Sequence, residues 1–207
     1  MTDARVLDSG GDREVRYLFA HGAGAPMDSA FMNEVADAIA ERGVRVIRFE
    51  FPYMAARREG ARKPPDPQPR LLATWRRTIE AHRGAGRVFI GGKSMGGRIA
   101  TMVADDAGVD GVVCFGYPFH PPGKPEQLRT AHLESIRTPL LIVQGTRDAL
   151  GSREEVPSRH LAPSIRIEWI EDGDHSLKPR ARSGMSYADA MRRAVDAAAR
   201  FMLGSTE

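Results

Sequence analysis

Residues 87–107, RVFIGGKSMGGRIATMVADDA, decide how the rest of the chain is read. The apolar run Val88, Phe89, Ile90 meets a pair of glycines, Ser94 stands between Gly92 and Gly96, and residues with helical spacing follow. This reads as strand, sharp turn and helix with a hydroxyl at the apex. The spacing G-x-S-x-G has a steric cause: the serine occupies a strained turn, and side chains two positions either side would collide with the neighbouring strand and helix. Its Oγ is therefore expected above the sheet, and the amide of Met95, at a helix start, has no intrahelical acceptor. One turn is thus expected to supply a nucleophile and an oxyanion donor. The motif is short, and a strand-to-helix turn with an incidental serine shows the same pattern. A phosphate-binding loop is a second rival, because Gly92-Lys93-Ser94 ends like G-x-x-x-x-G-K-S. That pattern needs glycine at position 87, where the chain has Arg87, and it would turn Val88, Phe89 and Ile90 into loop.

Working outward, the chain alternates strand and helix signals. Residues 5–7 read as a short edge strand, and Gly10-Gly11-Asp12 as a turn into a fuller strand at 15–20. In His21-Gly22-Ala23-Gly24 the small side chains leave backbone amides uncovered, as a second oxyanion donor requires, and Ala23 is the candidate. A helix capped by Asp28 carries Phe31, Val35 and Ile39 on one face and ends at Gly43. A strand at 44–49 follows. Residues 54–69, containing KPPDPQP, read as a stiff polar loop rimming the site, after which Pro69 suits the first turn of a helix with Leu71, Leu72, Trp75, Ile79 and His82 on a shared face. The helix after Ser94 is expected to bury Met95, Ile99, Met102 and Val103. Residues 109–115 and 139–144 are nearly all apolar, the mark of strands covered on both faces. A helical piece holding Leu128 and Leu133 lies between them, beyond a rigid loop at 117–125. A short helix at 153–161, an alternating strand at 165–170 and a closing helix over about 186–203 complete the pattern. No internal repeat is found.

This alternation predicts a mainly parallel sheet of about six or seven strands with helices on both faces, a three-layer α/β architecture in one domain spanning 1–207. In such sheets chemistry gathers at the carboxyl ends of the strands. Ala23, Ser94, Asp148 and His175 all stand at such ends. A serine hydroxyl is a poor nucleophile until a base takes its proton; His175 is the candidate base, and Asp148 the group that holds its other ring nitrogen and stabilises the imidazolium. Asp148 could alternatively be a helix cap, and Asp174 or Asp172 could orient the imidazole, although a sequence neighbour seldom faces the same ring nitrogen. His21 reads as a histidine shaping the oxyanion loop. His120, His132 and His160 lack carboxylates or cysteines at ligand spacing, so no metal site and no cofactor is implied.

Composition bounds the partners. The net charge is +3, and the basic residues are mostly arginines dispersed among acids, with lysine only at 63, 93, 124 and 178. No nucleic-acid stripe results. The one basic cluster, 57–63, reads as a solvated loop near the pocket mouth that could favour anionic substrates. The single cysteine, Cys114, lies in an apolar run and reads as a packed core side chain. No leader pattern and no apolar run of membrane-spanning length is present, so a soluble, cytoplasmic protein, monomeric or weakly dimeric, is expected.

FAHGAG, GKSMGG, LLIVQGTRDALG and GDHSL resemble, in order, the oxyanion, nucleophile, acid and histidine segments of the α/β-hydrolase superfamily. Among its members the chain is similar to the compact dienelactone-hydrolase-like group, in the KANL/Tex-type subgroup of predicted hydrolases, over nearly all of residues 15–202. It departs from true dienelactone hydrolases in having serine where they use cysteine. The resemblance implies hydrolysis of a small-molecule ester or thioester by Ser94, Asp148 and His175, with the amides of Met95 and Ala23 as the oxyanion hole. Only about 20 residues separate the strands ending near 115 and starting near 140, fewer than the cap domains of many relatives need. An uncapped site is therefore expected, with Gly22, Gly24, Tyr53, Lys93 and Tyr117 around the substrate and Lys93 turned to solvent or the rim. A non-catalytic interaction module on the same scaffold, and an acyltransferase or amidase using the same residues, remain alternatives.

Overall fold

The computed structural model describes residues 5–156 and 161–204. Seven strands form one sheet: β1 (Val6–Ser9), β2 (Arg16–Ala20), β3 (Arg45–Phe49), β4 (Val88–Lys93), β5 (Gly111–Phe115), β6 (Leu140–Gly145) and β7 (Ile165–Ile170), in the order β1-β3-β2-β4-β5-β6-β7. β1 runs antiparallel to β3, and every other pairing is parallel. Two turns in the chain's path reverse the strand order beside β4, so the carboxyl end of β4 lies at the centre of the sheet, where a crevice opens.

Alternation along each strand divides the apolar side chains between two faces. Tyr17, Phe19, Phe89, Val113, Phe115, Leu141 and Val143 point to one face, which is covered by α1 (Ala30–Glu41) and α6 (Tyr187–Leu203). Leu18, Ile90, Val112, Cys114, Leu140 and Ile142 point to the other, covered by α3 (Gln68–His82) and α4 (Met95–Thr101). Because both faces are roofed, β5 and the first four residues of β6 read as nearly unbroken apolar runs, and each fully buried Val, Leu or Ile contributes about 1.5–3 kcal/mol. Cys114 is fully buried, and burial pushes its thiol up.

Several local expectations change. Residues 54–69 are not all loop: α2 (Pro52–Arg58) occupies the first part, and α3 begins at Gln68. Proline at the first turn suits α2, and the Asp66 carboxylate accepts the Tyr53 amide at 2.9 Å, so the helix is capped by a residue 13 positions downstream. No local pattern could announce that cap. The cap position of α1 is Ser29, whose side chain makes no capping hydrogen bond, and the Asp28 carboxylate pairs with Arg58 at 2.5 Å. The helix after Ser94 is broken: α4 ends at Thr101, a second short helix, α5 (Ala104–Ala107), follows, and Met95 and Met102 are only half-buried. Leu128 is exposed, and only Leu133 lies in a helical piece, a 3₁₀ turn at Ala131–Glu134. Residues 153–155 form a turn, while 157–160, within the expected short helix, lie outside the described residues.

Candidate active site

The turn after β4 has the strain its glycines foretold. Ser94 adopts φ 51° and ψ −117°, a left-handed backbone that a non-glycine residue seldom holds unless its surroundings enforce it. A Cβ on Gly92 would lie 2.4 Å from the Ala20 carbonyl oxygen, and one on Gly96 would lie 2.5 Å from that of His21. Glycine at both positions therefore lets α4 start directly against β2. The Ser94 amide donates to the Phe115 carbonyl at 3.0 Å, which fixes the turn to β5.

Ser94 Oγ lies 2.9 Å from His175 Nε2, and His175 Nδ1 lies 2.8 Å from Asp148 Oδ2. The carboxylate has no proton to give, so Nδ1 carries the ring proton and Nε2 is left to accept from the serine hydroxyl. Asp148 is fully buried; its oxygens also accept from the Leu150 amide at 2.8 Å and from Gln144 Nε2 at 2.9 Å. The other acids near the histidine are engaged elsewhere. Asp174 accepts from the amides of Ser176 and Lys178, and Asp172 pairs with Arg180 and Arg147. Those arginines, the Arg180 hydrogen bond foremost, hold the Asp172 carboxyl well below the usual carboxylate range.

Gln144 was not singled out from the sequence. Its amide accepts from Tyr117 N at 2.7 Å and faces the Tyr117 carbonyl, Asp148 and the Gly151 carbonyl with its NH₂ group. It locks the β5 and β6 ends together beneath the acid. The available signal was a polar residue closing an otherwise apolar strand, LLIVQ.

The loop after β2 that carries Ala23 is fastened from behind. His21 is fully buried, its Nδ1 2.7 Å from the Gly22 carbonyl oxygen and its Nε2 accepting the Phe51 amide at 3.1 Å. These partners set the Nδ1–H tautomer, and burial lowers the His21 pKa, keeping the ring neutral. The Tyr53 hydroxyl lies 3.2 Å from the Gly22 carbonyl and 3.1 Å from that of Ala23. In a trans peptide the N–H points opposite to the preceding C=O, so pinning the Gly22 carbonyl backwards turns the Ala23 N–H the other way. Among the described residues, neither the Ala23 nor the Met95 amide donates to a protein acceptor. They are available to a ligand.

Tyr53 and Tyr117 are therefore not cleft walls. Tyr53 is 1% exposed and lies behind the Gly22–Ala23 loop; Tyr117 is fully buried, its ring packed on Phe119 and its hydroxyl donating to the Arg129 carbonyl. The sequence could not show that both rings turn inward. Lys93 does line the cleft, but its ammonium turns inward and donates to the His175 carbonyl. The 57–63 segment is likewise engaged: Arg58 pairs with Glu50 and Asp28, and Arg57 donates to the Lys63 carbonyl and stacks over Tyr53. The cleft itself encloses about 270 Å³ and is lined by Gly22, Ala23, Gly24, Ser94 and His175, with Phe31 and Met32 as its apolar side. A larger groove of about 870 Å³ lies at the opposite end of β6 and β7, against α6, remote from Ser94. Among the described residues no group of three or more His, Cys, Asp or Glu is placed to hold a metal ion, and no helix is long and apolar enough to cross a membrane.

Fold and site together define an α/β-hydrolase architecture without a cap. Residues 13–203 match the model of the alpha/beta hydrolase domain family, and the chain belongs to that family. Among solved structures it is similar to an alpha-beta serine hydrolase homologue from Coxiella burnetii (19% identity, 95% of this chain and 90% of that one, TM-score 0.72). It is also similar to a lidless α/β serine hydrolase from Xanthomonas campestris (17%, 100% and 98%, TM-score 0.67) and to dienelactone hydrolase from Anabaena variabilis (17%, 100% and 94%, TM-score 0.69). At these identities the likeness is one of fold.

Proposed function

We propose that this protein is a serine hydrolase that cleaves a small carboxylic ester or thioester through an acyl-enzyme on Ser94. The observation that carries the reading is the hydrogen-bonded chain Ser94–His175–Asp148 opening on a cleft beside two backbone amides that, among the described residues, have no protein acceptor. Ser94 Oγ attacks the carbonyl carbon as His175 Nε2 takes its proton. The negative charge moves to the carbonyl oxygen, where the amides of Ala23 and Met95 receive it, each such donor lowering the barrier by about 3 kcal/mol. Collapse expels the alcohol or thiol, protonated by His175, and leaves the acyl group on Ser94. Water then repeats the sequence, frees the acid and restores the serine. Asp148 stabilises the imidazolium in both halves. The size of the cleft and the Phe31–Met32 side favour a short, apolar acyl group.

Intact-mass spectrometry after treatment with a fluorophosphonate tests this reading. The wild type is expected to gain one adduct, and folded Ser94→Ala and His175→Ala variants none. Absence of an adduct on folded wild type overturns it.

A further inference from the structure

The loop that carries His175 is held under tension. Asp172 and Leu177, on either side of the histidine, have φ values of 54° and 63°, a conformation that non-glycine residues keep only when tethered. The tethers at both ends are visible: Asp172 is clamped by Arg180 and Arg147, Leu177 is fully buried, and the Asp174 carboxylate gathers the amides of Ser176 and Lys178. The middle is different. Among the described residues, the His175 carbonyl has one hydrogen-bond donor, the ammonium of Lys93. Lys93 is the residue immediately before Ser94, so this bond joins the nucleophile turn to the histidine loop directly.

The lysine's path is built into the surrounding residues. At the end of β4 it pairs with Phe115 of β5, and its ammonium passes over Gly116 to reach the histidine loop. A Cβ at position 116 would lie 2.6 Å from Lys93 Nζ and 2.7 Å from the His175 carbonyl oxygen, and Gly116 itself has φ +65°, so glycine is required twice over. On the α1 side the ammonium sits 5.4 Å from the centre of the Phe31 ring, close enough for a cation–π attraction.

We propose that Lys93 is a positioning residue that holds His175 in register with Ser94, and that it does so as the ammonium. This rests on the serine-hydrolase reading above. An ammonium binds a carbonyl dipole and an aromatic face more strongly than the neutral amine does. The titratable groups facing it are His175 and Asp174 on the histidine loop and Asp148 after β6; α1 offers the uncharged Phe31 and the end of β5 offers Gly116. Burial lowers its pKa to about 8, against the opposing pull of Asp148 and Asp174. Above that value the ammonium is lost, and with it the ion–dipole bond to the histidine loop.

The test is the rate of fluorophosphonate labelling of Ser94 between pH 6 and 10 in the full-length protein, with Lys93→Met, Lys93→Arg and unfolding temperatures measured in parallel. Labelling of wild type is expected to decline as pH rises through about 8. Lys93→Met should label about tenfold more slowly at pH 7, because small misplacements of a reacting group cost rate steeply, and should lack the decline. Lys93→Arg, charged across the range, should retain most of the rate at pH 7 and also lack the decline. A lysine that served stability alone would change the unfolding temperature and leave the pH limb where it is. Wild-type labelling with no limb near 8, or a limb that persists in Lys93→Arg, overturns the proposal even if Lys93→Met does not fold. No labelling of the wild type at all overturns the serine-hydrolase reading instead.

Discussion

Replacing Tyr53 by phenylalanine removes one oxygen from behind the oxyanion loop and leaves the ring where it is. That hydroxyl carries a single proton and faces two carbonyls, those of Gly22 and Ala23, at 3.2 and 3.1 Å. Burial raises the Tyr53 pKa to about 12, so the hydroxyl remains a donor throughout the working range. Its loss leaves the Ala23 carbonyl with Arg57 at 3.5 Å and the Gly22 carbonyl with His21 at 2.7 Å. The peptide that aims the Ala23 N–H is thus loosened and not released. An intramolecular hydrogen bond is worth about 1 kcal/mol net, which sets the expected loss at about fivefold in kcat. Complete loss of an oxyanion donor, about 3 kcal/mol, is the upper bound at roughly two orders of magnitude. KM should stay near its wild-type value, because the oxyanion contact strengthens as charge develops on the carbonyl oxygen. Steady-state kinetics on a chromogenic short-chain ester, with thermal unfolding measured in parallel, would read both parameters. A folded Tyr53→Phe protein with unchanged kcat, or with its loss confined to KM, would refute the argument that this hydroxyl orients the oxyanion loop.

Asp148→Asn should keep the fold, yet reduce kcat by about four orders of magnitude, because an amide nitrogen facing Nδ1 favours the wrong imidazole tautomer; kcat of the purified variant checks this. Phe31→Ala should lengthen the cleft and move the preferred acyl chain towards longer esters, read as a change in the ratio of kcat/KM between acetate and hexanoate esters. Asp172 has a folded-state pKa depressed by its arginine partners, so its contribution to stability is present above its unfolded pKa, about 4, and is lost as pH falls through the lower folded value. Asp172→Asn should therefore flatten the acid limb of the unfolding temperature below about pH 4, with the largest difference from wild type near neutrality, as measured by thermal melts from pH 2 to 7.

Much of the architecture could be read along the chain because its causes are local. Nearly unbroken apolar runs marked β5 and β6 as strands roofed on both faces, and the glycines around Ser94 declared a turn where chains touch. The 2.4 and 2.5 Å approaches that a Cβ would make at Gly92 and Gly96 are the contacts behind that pattern. Sequence order also named Ser94, Asp148 and His175 as partners, since each follows a strand and parallel strands deliver their carboxyl ends to one edge. The features that escaped have distant causes. α2 depends on a cap from Asp66, and Gln144 acquires its role only when Tyr117 and Asp148 arrive on either side of it.

What the sequence by itself determined, then, is what sterics and hydrophobic periodicity can encode over a few residues: the strands of the sheet and the longer helices, the strained serine turn, and the carboxyl-end positions from which chemistry could come. Tertiary structure alone decided the direction of long side chains. Tyr53 could have faced the cleft but turns under the Gly22–Ala23 loop, and Lys93 could have reached solvent but turns to the His175 carbonyl. The physical reason is that a long polar side chain is flexible and settles where a partner compensates its loss of water, and that partner is supplied by a segment far away in the chain.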